Sequence, residues 1–276
     1  MKKLLLCAAS LLFFSATNLF AEDSPKTNPS ENSEVIKLFN GKNLDNWYTY
    51  LRDRGKNVDP NGVFTVKDGL LRISGEEWGC ITSNEEFENY VITLRYKWGE
   101  ETHGARKGVA RDSGLLLHSR GEDGAQATAW MYSLEVNIYE GRTGEIINIS
   151  SKEQDELASL TAIVDPKTDT EGSNWGSQYM FGGKEKVILG RGEIYWRDFD
   201  KESWPNVVGS RSPQDIEYPH GEWNTLECVV AGDKLYVILN GQLINQAKNI
   251  SHSRGKIQIQ SEGAEIYYSD IIIEKL

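Results

Sequence analysis

The stretch TLECVVAGDKLYVILNGQLINQ, residues 225–246, contains three short apolar runs that are separated by two glycine-containing turns. Apolar runs of this length, bounded by Gly with Asp or Asn, are typical of β-strands joined into hairpins. The turns fall at Ala231-Gly232-Asp233 and at Asn240-Gly241. The stretch therefore predicts three consecutive antiparallel strands, and it indicates a chain that folds mainly as β-sheet.

The same strand pattern recurs along most of the chain. Residues 62–74, GVFTVKDGLLRIS, contain two apolar runs around Asp68-Gly69, which is a strong hairpin signal. Further strands are predicted at 90–98, 113–119, 133–139, 256–261 and 265–275. Residues 151–160, SKEQDELASL, resemble a helix because they begin with a capping-box pattern. We therefore expect an all-β fold, an antiparallel two-sheet jelly-roll sandwich of the lectin and glucanase type.

The first 34 residues differ in composition from the rest of the chain. A short basic start, Met1-Lys2-Lys3, is followed by an apolar run, and a polar run begins after Ala21. This order predicts a cleaved signal peptide at 1–21 and a disordered tether at 22–34. The remaining residues, 35–276, are expected to form a single domain of a protein that is periplasmic or secreted. No later segment reaches the ~18 apolar residues of a membrane span.

The composition argues against some partners and leaves other questions open. The net charge of −11 argues against binding to nucleic acid or to an anionic membrane. Eight tryptophans and twelve tyrosines suit both a β-rich core and a surface that stacks on sugars. After signal cleavage Cys80 and Cys228 remain, and they could form a disulfide or stay as two buried thiols. The sequence decides neither this question nor the oligomeric state.

Residues 133–141, SLEVNIYEG, place polar residues within a strand pattern. Side chains alternate between the two faces of a strand, so Glu135 and Asn137 point away from the core that their apolar neighbours face. Glu140 has the other parity, and it joins them only if a bulge inserts one residue. The sequence therefore predicts that Glu135 and Asn137 face either water or a substrate groove.

The spacing E-x-N-x-x-E in this stretch resembles the E-x-D-x-x-E strand of retaining β-glucanases. In those enzymes the two glutamates act as nucleophile and general acid. Here Asn137 replaces the central aspartate, and a regular strand separates Glu135 from Glu140 by about 16 Å. Because the carboxyl groups of retaining enzymes lie about 5 Å apart, this pair can act in that way only if the strand bulges.

A further candidate, His118, lies in SGLLLHS, residues 113–119. If Leu115 and Leu117 pack in the core, the alternation of faces puts His118 on the same side of the sheet as Glu135. The chain has only four histidines, and imidazole exchanges protons near neutral pH. His118 is therefore a candidate for chemistry in the same groove.

Several segments, taken in order, resemble one protein family. They are LFNGKNLDNW (38–47), VKDGLLRI (66–73), GCITSNEEFENYVITLRYKWG (79–99), RDSGLLLHSRG (111–121), AWMYSLEVNIYEGRTGE (129–145), GEWNTLECVV (221–230), LNGQLIN (239–245) and GKIQIQSEGAEIYYSDIII (255–273). Together they resemble the 3-keto-disaccharide hydrolase domain family over about 38–274. The resemblance implies a concanavalin A-like jelly roll, and hydrolysis of glycosides whose sugar is oxidised to a ketone at C3. Where family members commonly carry E-x-Q, this chain has Glu135-Val136-Asn137.

The chemistry that this resemblance implies needs one base. A ketone at C3 acidifies the proton on C2, and removal of that proton lets the oxygen on C1 leave, after which water adds at C1. We expect Glu135 to be the base, His118 to be a proton shuttle or metal ligand, and Asn137 to hydrogen-bond the substrate. A divalent metal shared by His118 and Glu135 is compatible with this set, but no compact ligand motif supports it and no other cofactor is indicated.

Four further residues are expected to contact the carbohydrate substrate. Arg111 is a candidate for stabilising the enolate that forms when the C2 proton leaves. Trp130 and Trp196 are candidates for stacking on a sugar ring, and Glu140 is a candidate for a polar contact. Two other functions stay open at this point, namely a retaining β-glucanase and a lectin-like carbohydrate-binding module without catalysis.

Overall fold

Within the described residues the fold is built almost entirely from β-strands. A computed structural model describes residues 34–151, 157–165, 170–173 and 176–276. In chain order the strands are β1 (Val35–Phe39), β2 (Trp47–Leu51), β3 (Gly55–Lys56), β4 (Phe64–Lys67), β5 (Leu70–Ile73), β6 (Gly79–Phe87), β7 (Tyr90–Thr102), β8 (Asp112–Arg120), β9 (Tyr132–Tyr139), β10 (Ile146–Ile149), β11 (Ser159–Val164), β12 (Thr170–Ser173), β13 (Gly176–Tyr179), β14 (Lys184–Leu189), β15 (Gly192–Ile194), β16 (Asn224–Ala231), β17 (Lys234–Leu239), β18 (Gln242–Lys248), β19 (Gly255–Ser261) and β20 (Ala264–Lys275). A short 3-10 turn covers Gly104–Arg106.

In this described part the strands form two sheets of ten strands each. In sheet I the order is β14-β11-β18-β17-β16-β7-β20-β5-β4, and β1 also pairs with β20. In sheet II the order is β12-β13-β15-β10-β9-β8-β19-β6-β2-β3. Among the described strands the neighbours run antiparallel, except that β13 and β15 are parallel. Many sheet neighbours are far apart in the chain, as the crossing connections of a jelly roll require.

The hydrophobic core lies between the two sheets, where a sandwich buries the inner face of each sheet. Val136 and Ile138 of β9 contribute to it from sheet II, and Ile92 and Leu94 of β7 contribute from sheet I. All four side chains are fully buried. Because side chains alternate along a strand, burial of this face of β9 turns its other side chains towards the outer face of sheet II.

The predicted all-β, antiparallel two-sheet jelly roll is confirmed, apart from the parallel pairing of β13 with β15. The three strands predicted between 225 and 246 are β16, β17 and β18. The hairpin predicted at Asp68-Gly69 joins β4 to β5, and these two residues have positive φ angles of 53° and 78°. Two consecutive residues with positive φ fit the type I′ turn, whose twist matches that of the flanking strands.

Some predictions on chain organisation fall outside the described residues. The signal peptide at 1–21 and nearly all of the tether at 22–34 lie outside them. Of the helix predicted at 151–160, residues 152–156 also lie outside them, whereas its last two residues belong to β11. The helix prediction is therefore wrong at that end, where pairing with β14 fixes an extended backbone. No helix in the described ranges is long and apolar enough to cross a membrane.

Cys80 and Cys228 are separate thiols. Cys80 belongs to β6 of sheet II, and Cys228 belongs to β16 of sheet I. Both side chains are buried and unbonded to each other. The question that the sequence left open is therefore decided against a disulfide, and stability depends on the core.

Candidate functional site

A cleft of about 540 Å³ lies over the outer face of sheet II, on the side opposite the core. Its floor comes from β8, β9 and β19, and its sides come from β10, β15 and the flanking loops. Glu135 and Asn137, two of the residues predicted for the site, lie in this floor. Other residues that line the cleft include Trp78, Arg106, Asp112, Trp130, Tyr139, Arg142, Ile147, Ile149, Arg191, Glu193, Gln260 and Glu262.

Glu135 is buried without a partner for its charge. It points away from the core because Leu134 and Val136 occupy the core face, and only 5% of the residue is exposed. In the described part of the chain its carboxyl group accepts no hydrogen bond and forms no ion pair. Burial raises the pKa of Glu135 well above its usual range, and the charges of Glu262 and Asp112 raise it further. Such a carboxyl group is suited to exchanging a proton closer to neutral pH.

A glycine provides the space that the Glu135 side chain occupies. Gly114 of β8 pairs with Asn137 of β9. A Cβ atom on Gly114 would lie 2.3 Å from Glu135 Oε1 and 2.4 Å from Gln260 Oε1, which is closer than real Cβ atoms approach other atoms. Both side chains therefore reach their positions because residue 114 has no side chain of its own.

Two amide oxygens in the floor of the cleft have no hydrogen-bond partner among the residues that the structure describes. Asn137 donates from Nδ2 to Glu145 Oε2 at 3.0 Å, which orients its amide and leaves Oδ1 buried and unpartnered. Gln260 Oε1 is buried and unpartnered as well. Sugar hydroxyl groups are donors that such oxygens can accept. Around Gly114 the floor therefore offers acceptors from Asn137, Gln260 and Glu135.

Arg106 neutralises two acidic residues at one end of the cleft. It forms ion pairs with Asp112 and with Glu262, the latter at 2.7 Å, and it donates to the Tyr139 hydroxyl oxygen at 2.6 Å. Burial raises the pKa of Asp112 and the charge of Glu262 raises it further, whereas the charge of Arg106 opposes both effects. These partners fix the guanidinium group of Arg106 beside the floor.

Arg142 neutralises two further carboxyl groups on the β10 side of the cleft. Its guanidinium group pairs with Glu145 at 3.0 Å and with Glu193 at 2.8 Å. Gln178 donates from its amide to the other oxygen of Glu193 at 2.6 Å. The acidic groups on this side are therefore held by partners, in contrast to Glu135.

Arg191 is a cation of the cleft that the sequence reasoning missed. It lies between Gly190 and Gly192 in the turn that joins β14 to β15, and it lines the cleft. Its positive charge favours the ionised form of Glu135 and so opposes the rise in that group's pKa. The Gly-Arg-Gly sequence signals a turn, but it does not indicate which face of the sandwich the arginine reaches.

Trp130 lines the cleft, whereas Trp196 does not. The Trp130 ring packs against Trp78 with ring centres 5.4 Å apart and planes inclined by 31°. Its indole nitrogen donates to the carbonyl oxygen of Gly79 at 3.1 Å, which fixes the ring. Trp196 belongs to the core between the sheets and does not line the cleft. The stacking role predicted for Trp196 is therefore wrong, because its ring packs against the core and not against the cleft.

His118 lies on the opposite side of sheet II from Glu135. Leu115 and Leu117 do pack in the core, but the pairing register shifts after Leu117, and His118 has a positive φ of 53°. This irregularity turns the imidazole inward, edge-on to Tyr90 with ring centres 6.0 Å apart, and burial lowers the pKa of His118 to about 4. The prediction that His118 shares a face and a metal with Glu135 is therefore wrong. No three His, Cys, Asp or Glu side chains of the described residues are arranged to hold a metal ion.

Arg111 and Glu140 form a buried ion pair that does not line the cleft. Arg111 Nη1 lies 2.6 Å from Glu140 Oε1, and the Arg111 backbone nitrogen donates to Glu140 Oε2 at 3.1 Å. The pairing of β8 with β9 is regular from Asp112 to Leu117, so no bulge turns Glu140 to the face of Glu135. The predictions that Arg111 and Glu140 contact the substrate are therefore wrong. The prediction of a β-glucanase-like carboxylate pair, Glu135 with Glu140, is wrong as well. Arg111 and Glu140 instead link the start of β8 to the end of β9.

Solved structures with a similar fold include three proteins related to carbohydrates. A proposed glycosyl hydrolase of Parabacteroides distasonis is 16% identical, with a TM-score of 0.49, and the match covers 88% of this chain and 94% of that one. The carbohydrate-binding module CBM66 of Bacillus subtilis is 13% identical, with coverages of 83% and 96% and a TM-score of 0.42. A β-glucanase of Bacillus licheniformis is 11% identical, with coverages of 90% and 99% and a TM-score of 0.43. Similarity at this level does not transfer a substrate or an activity.

A family model, in contrast, matches the sequence itself. Among curated proteins there is no match. The model of the 3-keto-alpha-glucoside-1,2-lyase-like domain matches residues 34–274. This range contains the whole cleft and all but the last residue of the two sheets, and it agrees with the resemblance that the sequence segments predicted. The chain therefore belongs to the 3-keto-alpha-glucoside-1,2-lyase-like domain family.

Proposed function

We propose that this protein cleaves glycosides whose sugar carries a ketone at C3, and that Glu135 is the base that removes the C2 proton. The observation that carries the proposal is the Glu135 carboxyl group, which is buried in the cleft without an ion pair or a hydrogen bond to any described residue. Membership of the family supports the class of reaction. A cleft of about 540 Å³ is large enough for a sugar ring with a substituent.

The proposed reaction begins with transfer of the C2 proton to the ionised carboxylate of Glu135. The electron pair of the C2–H bond moves towards the ketone and gives an enolate on the C3 oxygen. When this pair returns, it forms a double bond between C1 and C2 while the C1–O bond breaks, and the leaving group departs with its electrons and takes up a proton. Addition of water across the double bond then gives the free 3-keto sugar, so the net change is hydrolysis.

The neighbours of Glu135 suit this sequence of steps. A raised pKa makes Glu135 a stronger base, which favours removal of a weakly acidic proton from carbon. Arg191 brings a positive charge to the cleft, and we assign to it the stabilisation of the enolate that the sequence assigned to Arg111. Asn137 and Gln260 offer amide oxygens that can accept hydrogen bonds from sugar hydroxyl groups. One base is sufficient, so the mechanism requires no second carboxylate next to Glu135.

The test is Glu135→Gln, assayed on a 3-keto glucoside and on laminarin. Glutamine cannot accept the proton, so turnover of the 3-keto glucoside should fall about 10²–10⁴-fold. Glu227→Gln, in β16 of sheet I, is the matched control and should keep wild-type turnover. Full activity in Glu135→Gln would remove Glu135 from the mechanism. Turnover of laminarin by the wild type would favour a glucanase, and binding of sugars without any turnover would favour a lectin-like module.

A further inference from the structure

Next to Glu135 the outer face of sheet II carries an apolar patch that the proposed reaction does not use. The patch consists of Leu116, Trp130 and Ile149, which are buried together with Cys80 and Ala129, and of the half-buried Ile147 and Trp78 that pack against them. It is separate from the core between the sheets. Trp130, Ile147 and Ile149 also line the cleft. An apolar surface inside an otherwise polar cleft indicates that part of the ligand is apolar.

The patch begins directly beside the proposed base. Leu116 of β8 and Ile147 of β10 are the cross-strand partners of Glu135 on its two sides. Asn137, which offers an acceptor to the sugar, is the next residue along β9 that lines the cleft. The leaving group is attached to C1, the neighbour of the C2 carbon from which Glu135 takes the proton. When the hydroxyl groups of the sugar bind near Asn137, the C1 substituent extends over the patch.

Trp130 is 5% exposed, and what it presents to this substituent in the cleft is apolar ring surface without a free hydrogen-bond donor. Its indole N–H is already donated to the carbonyl oxygen of Gly79 at 3.1 Å. Trp78 supports the ring from one side, and the Arg52 guanidinium group lies 4.2 Å from the Trp78 ring centre. A second sugar in this place would bury hydroxyl groups without partners, which is unfavourable for each group. A flat aromatic group would instead bury apolar area and interact with the Trp130 ring.

We infer that Trp130, Ile147 and Ile149 form a leaving-group subsite that takes an aromatic aglycone. The inference rests on the proposed function, because a leaving group exists only if the C1–O bond is broken. It narrows the substrate class to 3-keto glycosides of aromatic alcohols and phenols, as distinct from oxidised disaccharides.

The test compares kcat/KM for the 3-keto derivatives of benzyl glucoside, methyl glucoside and a disaccharide. Benzyl alcohol and methanol are similarly poor leaving groups, so the benzyl-to-methyl ratio reports binding of the ring and not leaving-group acidity. We expect the wild type to prefer the benzyl glycoside. Trp130→Leu should lower kcat/KM for the benzyl glycoside about tenfold and change that for the methyl glycoside less than about twofold.

Two further variants control for effects on folding. Trp223→Leu is the matched control, since the Trp223 ring contacts Lys97 of sheet I and does not line the cleft, and it should leave the benzyl-to-methyl ratio unchanged. Trp78→Ala removes the half-buried ring that supports Trp130, and it should lower the ratio in the same direction as Trp130→Leu. The melting temperature of each variant shows that the assays use folded protein.

The outcomes separate this inference from the proposed function. A benzyl-to-methyl ratio that Trp130→Leu and Trp78→Ala leave unchanged, or a disaccharide that is cleaved better than the benzyl glycoside, would overturn the aromatic subsite alone. No turnover of any 3-keto glycoside by folded wild-type protein would overturn the proposed function. In that case calorimetry with unoxidised benzyl glucoside and methyl glucoside decides whether an aromatic site exists, because only the benzyl compound should bind more weakly to Trp130→Leu.

Discussion

Replacement of Gly114 by alanine tests whether the position of Glu135 sets the rate of the reaction. The new Cβ atom would lie 2.3 Å from Glu135 Oε1 and 2.4 Å from Gln260 Oε1. Ordinary van der Waals contact begins at 3.4 Å, so each oxygen has to retreat by about 1 Å. The substitution therefore displaces the proposed base and leaves its chemistry intact.

A displacement of this size should affect catalysis more than stability. Both clashing oxygens are at the ends of flexible side chains, so the fold can accommodate the methyl group for about 1–3 kcal/mol, the usual cost of overpacking. A misplacement of about 1 Å in a reacting group lowers the rate about 10²-fold. We therefore expect kcat of Gly114→Ala on a 3-keto glucoside to fall about 100-fold, with a smaller change in KM.

The measurement combines kcat with the melting temperature of each variant. Gly183→Ala is the matched control, because a Cβ atom there meets no other atom within 4 Å. It should keep wild-type kcat and an equal or higher melting temperature, since alanine restricts the unfolded chain more than glycine does. Folded Gly114→Ala protein with wild-type kcat would refute the reasoning. If Gly114→Ala does not fold, the double variant with Gln260→Ala removes one of the two contacts, and its kcat is compared with that of Gln260→Ala alone.

The buried charges and the N-terminus give further expectations. Glu135→Gln should raise the melting temperature near pH 8 but not near pH 4. The reason is that folding raises the pKa of Glu135, so the protein loses stability as the pH rises above the pKa that this group has in the unfolded chain. Equal shifts in melting temperature at both pH values would contradict this. Burial raises the pKa of Glu217 to about 7, so the free energy of unfolding should fall by about 3 kcal/mol as the pH rises from 4.5 to above 7. Urea titrations of Glu217→Gln should not show this decrease. Glu140→Ala leaves Arg111 buried and unpaired, so urea titration should show a loss of about 3–5 kcal/mol, with kcat preserved below the melting temperature; a large loss of kcat in folded protein would contradict the structural role. N-terminal sequencing of native protein should give a chain that starts near Glu22, and an uncleaved N-terminus would refute the predicted signal peptide.

The direction of the β9 side chains could be predicted because one face of each sheet in a sandwich must be buried. A shift of one residue in the register would put Glu135 and Asn137 between the sheets and expose Val136 and Ile138, which is strongly unfavourable. The alternation of apolar and polar residues therefore determines which side chains reach the outer face. It does not determine what else lies beside them.

His118 shows where reasoning from alternation fails. A positive φ is uncommon for a residue other than glycine, and a histidine at position 118 does not predict one. The irregularity depends on the neighbouring strand: a Cβ atom on Gly255 of β19 would lie 2.5 Å from the His118 carbonyl carbon. The bulge in β8 thus fits against a glycine that is far away in the sequence.

The remaining parts of the cleft depend on the strand order of sheet II, which cannot be predicted from local sequence patterns. Gln260 lies beside Gly114 because β19 is the neighbour of β8, although residues 121–254 separate β8 from β19 in the chain. Trp130 and Trp196 are the same type of residue in similar contexts, yet one lines the cleft and the other fills the core. Secondary-structure propensity and hydrophobic periodicity depend on neighbouring residues in the sequence, whereas the positions of these side chains depend on tertiary contacts.

The pairing of the buried carboxyl groups connects the stability of the cleft with its chemistry. Four carboxyl groups around Glu135 share the guanidinium groups of Arg106 and Arg142, and such pairing offsets much of the cost of burying a charge. In the described part of the cleft Glu135 is buried to a similar extent without an ion pair, so its ionised form destabilises the fold. Packing does not require this cost, since a glutamine of the same shape would avoid it. The desolvation that destabilises the ionised form is also what raises the pKa and makes Glu135 a stronger base, so the lost stability and the proposed catalysis have one physical origin.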